Sequence, residues 1–237
     1  MKKHSNAKII RSQILDEYYS NVYQNYLFSK DAQGLGTVFF ENSIEKFWNI
    51  DSPSKVLEIG GGSGEHLKYL KYVPKESYVS FDLRPQFTDA HVGILSSEFL
   101  SKLRFVTGNA ESLPFEEFEF DRVFMTCVLH HVDDVLSVLL EARRVSCKGA
   151  ELVFAFPTDP GLLNQLVKKI ISYPKLRKLS KVRPELFYAL DHRNHVGSIL
   201  EQIRYVFKDD KLTFHYSPFK LRSWNLNLFI VAKVTKS

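Results

Sequence analysis

A glycine-rich turn is the first part of this sequence whose residue types and spacing suggest chemistry. From Val56 the chain reads VLEIGGGSGEHLKYL, and its pattern is Glu58-x-Gly60-x-Gly62-x-Gly64. The dinucleotide fingerprint G-x-G-x-x-G does not fit, because Glu65 stands where its third glycine is required. The phosphate-loop pattern does not fit either, since no Gly-Lys-Ser/Thr follows. Two acids beside the turn would repel a phosphate, so the turn favours a cofactor that carries positive charge and no phosphate.

Histidines in two separate segments form the second group of candidate functional residues. His130 and His131 lie in TCVLHHVDD, whereas His192 and His195 lie in LDHRNHVGSIL. An imidazole suits the role of general base toward a hydroxyl acceptor. The spacing of His192 and His195 also suggests a metal pair on one helical face, but no cysteine or further histidine follows at a matching spacing, so we predict no metal site. A helix start capped by Asn194 is the other interpretation of the second segment, and both stay open.

Four segments, taken in order, resemble the class I S-adenosylmethionine-dependent methyltransferases. They are the acidic glycine turn, Asp82 in YVSFDLRP, the segment GNAESLPFEEFEFDRVF and the segment FMTCVLHHVDD. The resemblance runs from about Val56 to Phe156 and does not extend to the two ends of the chain. One departure is Asn109, which stands where the family's Gly-Asp-Ala-x-x-Leu-Pro-Phe segment has an acid.

The resemblance implies that the cofactor is S-adenosylmethionine and assigns contacts to it. Glu58 would organise the methionine end, while Gly60 and Gly62 would let the backbone approach closely. Asp82 would accept hydrogen bonds from both ribose hydroxyls, as a carboxylate can, although a turn or helix-cap aspartate is the alternative for this residue. The other implied cofactor-binding residues are Leu83, Asn109, Ala110 and Thr126.

Strands and helices alternate along the part of the chain that must position these residues. We predict strands at 55–59, 78–82, 103–107, 121–127 and 152–156, with helices at 64–71, 133–145 and 195–206. The alternation indicates an α/β fold with a doubly wound, mostly parallel, Rossmann-like sheet in three α/β/α layers, and a ligand crevice at the carboxyl ends of the strands. Two further strands, at 212–217 and 226–234, form an antiparallel pair at the edge of the sheet.

The domain prediction is a helical N-terminal lid over residues 1–50 and a class I methyltransferase domain over 51–237, with a substrate-binding insertion at about 157–204. The lid prediction depends on aromatic residues that could close over the site and exclude water, namely Tyr18, Tyr19, Tyr23 and Tyr26. A helix packed on the sheet is the alternative. The insertion is too long for an ordinary connection, and such connections are usually functional or mobile. Asp133 is interpreted as the cap of the helix over 133–145.

Composition and charge restrict the protein's location and partners. The chain of 237 residues has no run of eighteen apolar residues, so we predict no transmembrane helix. Cys127 and Cys147 lie in segments typical of a core, which fits a reducing cytosol and a cytoplasmic protein without disulfides. The net charge is +5, and no acid occurs between Asp159 and Glu185, where seven lysines and arginines fall. That basic stretch could face nucleic acid, anionic lipid at a membrane surface or an anionic small molecule, and a solvated helix face is the alternative.

These features predict a methyltransferase enzyme that acts on a small or lipid-linked acceptor, and the basic stretch is compatible with an anionic one. Sugar or glycan O-methylation, as in polysaccharide biosynthesis, is our first prediction, and a quinone or other lipid acceptor is the second. Nucleic acid is disfavoured, because no Asn-Pro-Pro-Tyr-like segment follows the fourth strand. A non-catalytic protein that binds the cofactor stays open, and we make no prediction of oligomeric state. The candidate bases are His192, His195 and His130, although His130 and His131 could instead form a structural turn shared by the family.

Overall fold

A seven-stranded sheet organises the chain in the computed structural model, which describes residues 2–23, 44–49, 52–84, 93 and 95–237. The strands lie in the order β3-β2-β1-β4-β5-β7-β6. They are β1 (Lys55–Ile59), β2 (Ser77–Asp82), β3 (Leu103–Thr107), β4 (Phe120–Thr126), β5 (Ser146–Pro157), β6 (Lys211–Ser217) and β7 (Phe229–Thr235). The first five strands pair in parallel, whereas β7 runs antiparallel to both β5 and β6. The predicted doubly wound sheet with an antiparallel C-terminal pair is confirmed.

The helices of the described residues fill the connections between these strands. They are α1 (Lys2–Glu17), α2 (Ser97–Lys102), α3 (Val135–Val145), α4 (Leu162–Val167), α5 (Tyr173–Leu179), α6 (Pro184–Asp191) and α7 (Val196–Val206). A π-helical turn, Tyr18–Tyr23, continues α1, and another, Lys168–Ser172, joins α4 to α5. Short 3-10 helices occupy Glu65–Tyr69 and Trp224–Leu226. Residues 162–179 are therefore helical throughout.

Both faces of the sheet are buried, and alternate residues of each strand pack on opposite sides. Leu57 and Ile59 of β1 join one core cluster with the inner faces of α3 and α7. Val56 joins a second cluster with Tyr78 and Phe124 on the other face. The strand order reverses between β1 and β4, so the crevice at the carboxyl ends opens between these two strands.

Three helix boundaries differ from the sequence prediction. The helix predicted at 64–71 is only the five-residue 3-10 helix, because Gly64 before it is left-handed and Leu70 after it is extended. Asp134, not Asp133, caps α3, since its carboxylate accepts the backbone N–H groups of Leu136 and Ser137 at 2.9 and 3.3 Å. At α7 the cap position falls on His195, whose side chain makes no capping bond, so the interpretation of Asn194 as the cap is wrong.

The N-terminal helix packs against α6. The ring of Tyr18 stacks on Phe187 with centroids 3.4 Å apart, and Leu15 and Val22 complete a small apolar cluster with Leu176. This part of the N-terminal segment thus packs on helices of the predicted insertion, and the choice between a lid and a helix packed on the sheet stays open. Tyr26, part of the lid prediction, lies outside the described residues.

The cysteines do not both lie in the core, as the sequence suggested. Cys127 is exposed and left-handed, with φ of 57°, at the turn after β4, and Cys147 is half-buried. The two cysteines are not joined by a disulfide. None of the helices in the described part of the chain combines the length and the hydropathy that crossing a membrane requires.

Candidate active site

The glycine turn follows β1 at the carboxyl edge of the sheet. Gly60, Gly62 and Gly64 have φ of 83°, 50° and 82°, a left-handed conformation that glycine adopts without strain. A β-carbon on Gly60 would lie 2.1 Å from Cγ2 of Val128, so the turn packs directly on the chain that follows β4. A β-carbon on Gly62 would meet nothing nearer than 4.0 Å. The backbone at Gly62 therefore faces open space.

Glu58 lies buried beneath this turn. Its Oε2 accepts a hydrogen bond from the Tyr78 hydroxyl at 2.8 Å and a longer one from Ser80 at 3.4 Å. Burial, together with the charge of Glu58, raises the pKa of Tyr78 well above its ordinary value, so the phenol stays protonated and donates. The structure thus places Glu58 where it supports the turn from below, and its role toward the methionine end of the cofactor stays a prediction.

Asp82 ties the end of β2 to the same turn. Its Oδ2 accepts the backbone N–H of Gly62 at 2.9 Å, and its Oδ1 accepts that of Arg84 at 2.7 Å. Each carboxylate oxygen has two lone pairs, so each keeps one for a ribose hydroxyl. Leu83 beside it is 64% exposed. Asp82 therefore makes the turn contacts of the alternative interpretation and keeps acceptor capacity for a ligand.

The remaining predicted cofactor residues lie at the ends of β3 and β4. Asn109 is exposed, and its Oδ1 accepts the backbone N–H of Glu111 at 3.0 Å, which fixes the amide and leaves one lone pair on this oxygen. Ala110 packs partly on the core. Thr126 ends β4, and its hydroxyl is buried with no hydrogen-bond partner. A buried polar atom of this kind usually has a partner, which a bound ligand or water can supply.

The two histidine segments, which are about sixty residues apart in the chain, meet at this edge. Arg193 donates its backbone N–H to the carbonyl of His130 at 2.9 Å. The Asn194 amide donates to the carbonyls of Leu129 and Val132 at 3.0 and 2.9 Å. Asn194 therefore clamps the turn after β4 to the segment between α6 and α7.

The imidazoles of both segments form one cluster. The ring centroid of His192 lies 4.4 Å from that of His130 and 5.1 Å from that of His131. Adjacent residues of a strand point to opposite faces, but the ring centroids of His130 and His131 are only 3.8 Å apart, because the irregular turn does not alternate as a strand would. His130 is buried, and burial together with the neighbouring imidazoles and Lys168 lowers its pKa well below the ordinary value.

Asp159, which follows β5, orients His192. Its Oδ2 lies 2.9 Å from Nδ1 of His192 and also contacts the ammonium of Lys168, while Gln165 donates to Oδ1 at 2.7 Å. Burial by itself would raise the pKa of Asp159, but the bond from His192 and the charge of Lys168 outweigh it, so the pKa lies well below its usual range. Burial lowers the pKa of His192 to about 4, against the opposing effect of Asp159. At neutral pH the ring is uncharged, with its proton on Nδ1 toward Asp159 and a lone pair on Nε2.

Asp191 makes the corresponding contact on the other side of the cluster. Its carboxylate lies 3.0 Å from Nδ1 of His131 and accepts the hydroxyl of Tyr19 at 3.0 Å. Burial opposes ionisation, but the contact with His131 outweighs it and lowers the pKa of Asp191. On the far side of the crevice, Asp16 of α1 pairs with Arg84 at 3.1 Å. α1 thus contacts the residues after β2, and the π-helical turn that continues it contacts Asp191 beside the histidine cluster. Closure of this segment as a lid stays a prediction.

A pocket of about 250 Å³ opens beside His192. Its walls come from the end of β5, from α4 to α6 and from the segment before α7: Asp159, Pro160, Gln165, Lys168, Tyr173, Glu185, Tyr188, Ala189, His192, Asn194 and His195. His192 follows the last residue of α6 and His195 precedes α7, so they do not share a helical face as the spacing suggested, although both line this pocket. His195 is solvent-exposed.

The cluster also has the distances of a possible metal site. One ligand atom from each of His130, His131 and His192 lies within 4.8 Å of the others. Our prediction of no metal site considered only His192 and His195, because sequence spacing cannot show that His130 lies beside His192. Sequence reasoning also missed Asp159 and Lys168. The available signal for Asp159 was its position two residues beyond the end of a parallel strand, where site residues of such folds gather.

Comparison with known proteins identifies the central part of the chain. Residues 57–154 match the family model described as a methyltransferase domain. These residues therefore carry a methyltransferase domain of the class I S-adenosylmethionine-dependent type. The match confirms the predicted type of domain and S-adenosylmethionine as the cofactor, while the predicted domain bounds and the role of the Leu-His-His segment stay predictions.

Two curated relatives and two solved structures illustrate the similarity. The chain is 30% identical over 156 residues to the ubiquinone/menaquinone biosynthesis C-methyltransferase UbiE of Legionella pneumophila (strain Paris), covering 62% of this chain and 61% of that protein. It is 29% identical over 133 residues to the uncharacterized methyltransferase YcgJ of Bacillus subtilis, covering 54% of this chain and 50% of that protein. The chain thus spans about half to three fifths of the length of these relatives.

The solved structures support the fold. The structure of YcgJ aligns with a TM-score of 0.52 and 16% identity over 84% of this chain and 99% of that one. A chain from the complex of a Haloferax volcanii methyltransferase with a methyltransferase activator aligns with a TM-score of 0.60 and 13% identity over 91% of this chain and 97% of that one.

The residues present fit S-adenosylmethionine. The cradle over Gly62 admits a ligand against the backbone, Asp82 keeps free acceptor sites and the Thr126 hydroxyl lacks a partner. No basic side chain of the turn favours a phosphate, and the acids beside it suit a cationic cofactor. These residues would hold the cofactor with its methionine end toward the glycine turn.

Proposed function

We propose that this protein is an active methyltransferase whose acceptor is a lipid-soluble molecule of the quinone class. S-adenosylmethionine supplies an electrophilic methyl group when bound, and the protein must bind the acceptor, align it and remove its proton. The observation that carries the proposal is the Asp159–His192 pair, which lines a pocket beyond the carboxyl end of β5.

His192 acts as the general base in this proposal. Its Nδ1 is held by Asp159, so Nε2 carries the lone pair that accepts the proton of an acceptor hydroxyl. Deprotonation of a ring hydroxyl activates both its own oxygen and the ring carbons beside it, so the same base serves O- and C-methylation. Asp159 is a positioning residue, because it acts through His192 and fixes its tautomer.

The pocket supports a ring head group with a tail that stays outside. Its volume of about 250 Å³ lies below the range typical of sites that enclose a whole drug-sized ligand. Lys168 and Gln165 form part of its wall, and both belong to the helical stretch that begins with α4. The outer side of that stretch is apolar and exposed, at Leu162, Leu166 and Ile170. A long apolar tail could therefore leave the pocket along a surface that suits it.

The names of the relatives support the same acceptor class. UbiE proteins are named as C-methyltransferases of ubiquinone and menaquinone biosynthesis. Sugar O-methylation, our first prediction from the sequence, gains no support from these names. Methylation of nucleic acid and a non-catalytic role stay alternatives that the experiment below distinguishes.

A transfer assay with a labelled methyl group tests the proposal. Purified protein is incubated with S-adenosylmethionine labelled in the methyl group and with one of three acceptor classes: demethylated quinols in detergent, sugar nucleotides or RNA. Label in the organic phase with the quinols is the expected result. Transfer only to sugars or RNA would reject the acceptor class, and cofactor binding without any transfer would favour the non-catalytic alternative.

Matched variants link the activity to the site. His192→Gln should lower turnover about a hundredfold or more while cofactor affinity stays unchanged, since general-base assistance is typically worth that much. Tyr205→Phe, on the exposed outer face of α7, serves as a control that should behave as wild type. Equal turnover in His192→Gln and wild type would remove His192 from the mechanism and leave His195 and His130 to be tested in the same way.

A further inference from the structure

The helical stretch over residues 162–172 has its polar side inward and its apolar side outward. Four apolar residues along it are more than half exposed: Leu162 (71%), Leu166 (53%), Ile170 (65%) and Ile171 (51%). The buried positions are instead Asn164 and Lys168. A surface helix of a water-soluble domain normally shows the opposite arrangement.

Contacts with residues of the candidate site hold Asn164 and Lys168 on the inward side. The stretch therefore cannot rotate about its axis to bury its apolar side chains. Lys168 contacts Asp159, and its ammonium lies 4.1 Å from the ring centroid of Tyr188. The Asn164 amide donates to the carbonyl of Leu228 at 3.4 Å. Because residues three and four apart share a helical face, fixing Asn164 and Lys168 inward sets Leu162, Leu166 and Ile170 outward together.

Unpaired positive charge continues from the exposed apolar side. Lys169, Lys175, Lys178 and Lys181 are exposed, and no acidic partner is found for them among the described residues. Arg177 is the exception in this stretch, because it pairs with Glu185. Apolar side chains bordered by lysines are the composition of helices that lie in the interface of a bilayer containing anionic lipid.

We propose that the outward side of residues 162–181 docks on the surface of an anionic lipid bilayer. Leu162, Leu166, Ile170 and Ile171 enter the boundary between head groups and acyl chains, and the four lysines contact anionic head groups. The inference rests on the proposed function for its purpose, because it would place the mouth of the acceptor pocket at the surface where a lipid-soluble acceptor resides. The docking itself requires neither cofactor nor acceptor.

Vesicle sedimentation tests the docking without any reaction. The full chain is mixed with vesicles of phosphatidylcholine, with or without phosphatidylglycerol, and the bound fraction is measured at low and high salt. Wild type should bind the anionic vesicles and lose binding as salt rises. Leu166→Ser with Ile170→Ser should weaken binding about tenfold or more by loss of apolar burial. Changing the four lysines to glutamine should weaken it about fivefold per lysine.

Matched controls separate docking from general effects. Leu140→Ser removes a leucine of similar exposure (49%) from α3, and Lys75→Gln with Lys208→Gln removes exposed lysines elsewhere. These variants should bind as wild type. Absence of wild-type binding to anionic vesicles, or equal losses in the control variants, would overturn the proposal. A dimer in analytical ultracentrifugation that Leu166→Ser with Ile170→Ser dissociates would assign the surface to a second copy instead.

The readouts keep the two proposals apart. Vesicle binding with no methyl transfer to quinols would leave the docking surface intact and reject the acceptor class. Transfer to detergent-dispersed quinols without vesicle binding would support the acceptor class and reject the docking surface. Calorimetry with S-adenosylmethionine on Leu166→Ser with Ile170→Ser should give the wild-type affinity and would exclude misfolding as the cause of lost vesicle binding.

Discussion

The pH dependence of turnover is the sharpest prediction from the histidine cluster. A general base must be neutral to act, so the rate rises with pH through the pKa of the base and is flat above it. Burial lowers the pKa of His192 to about 4. At pH 6 about 99% of His192 would then be neutral, whereas an imidazole with the ordinary pKa near 6.5 would be only about 24% neutral.

The assay is kcat/KM of methyl transfer measured from pH 6 to pH 8. The kcat/KM of the wild type should change by only a few per cent across this range through titration of the base, because the neutral fraction of His192 stays near one. A fourfold fall between pH 8 and pH 6, with an apparent pKa near 6.5, would refute the assignment of the base to His192. The next variant to test would then be His195→Gln.

The same pKa shift has a consequence for stability. The pKa of His192 is lower in the folded state than in the unfolded chain, so the unfolded chain binds the proton more tightly and acid destabilises the fold. With values of about 4 and 6.5, the contribution is intact above pH 6.5, is about 2 kcal/mol smaller at pH 5 and stops changing below pH 4. Urea denaturation at pH 8 and pH 5 should therefore show a larger loss for wild type than for His192→Gln. Equal losses in the two proteins would contradict the buried, neutral state of this imidazole.

Three further predictions concern the cofactor crevice and the cluster. Asp82→Ala should weaken S-adenosylmethionine binding in calorimetry by about 1.5–3 kcal/mol for each charge-assisted hydrogen bond lost, whereas Asp209→Ala, an exposed acid elsewhere, should not; equal affinity in both would remove the ribose assignment. Gly62→Ala and Gly149→Ala both place a β-carbon at positive φ with no close neighbour, so both should cost about 1 kcal/mol of stability. Only Gly62→Ala should weaken cofactor binding in calorimetry, because only this β-carbon occupies the proposed cofactor site. Dialysis against a chelator should leave turnover unchanged, and a loss that Zn²⁺ restores would show instead that His130, His131 and His192 hold a cation.

The cofactor crevice was largely predictable, because its residues occupy positions that local sequence defines. Glu58, Gly60 and Asp82 each lie at or just after the end of a short apolar strand, and the carboxyl ends of parallel strands meet at one edge of the sheet. Their association therefore follows once the strands are recognised. Caps were less predictable: Asp133 and Asp134 are adjacent acids, and only the backbone direction decided that Asp134 caps α3.

The acceptor side of the site was only partly predictable. The sequence marked the segment around His192 as polar and placed it after the fifth strand, at the correct edge of the sheet. It did not show that His130 and His131 would contact His192, nor that Asp159 would hold Nδ1 of that ring. Such contacts depend on how α6, α7 and the turn after β4 pack against one another. The spacing of residues along the chain does not predict that packing.

By itself the sequence determined the fold class, the type of methyltransferase domain and the cofactor, because strand periodicity and glycine positions act within a few residues of the chain. Only the tertiary structure decided which side of residues 162–172 faces solvent. A surface helix normally buries its leucines and isoleucines, but the largely buried carboxylate of Asp159 requires a partner, and Lys168 supplies it from this stretch. A charge away from water is costly to leave unpaired. The pairing therefore keeps Lys168 on the inward side and leaves the apolar side chains on the outward side.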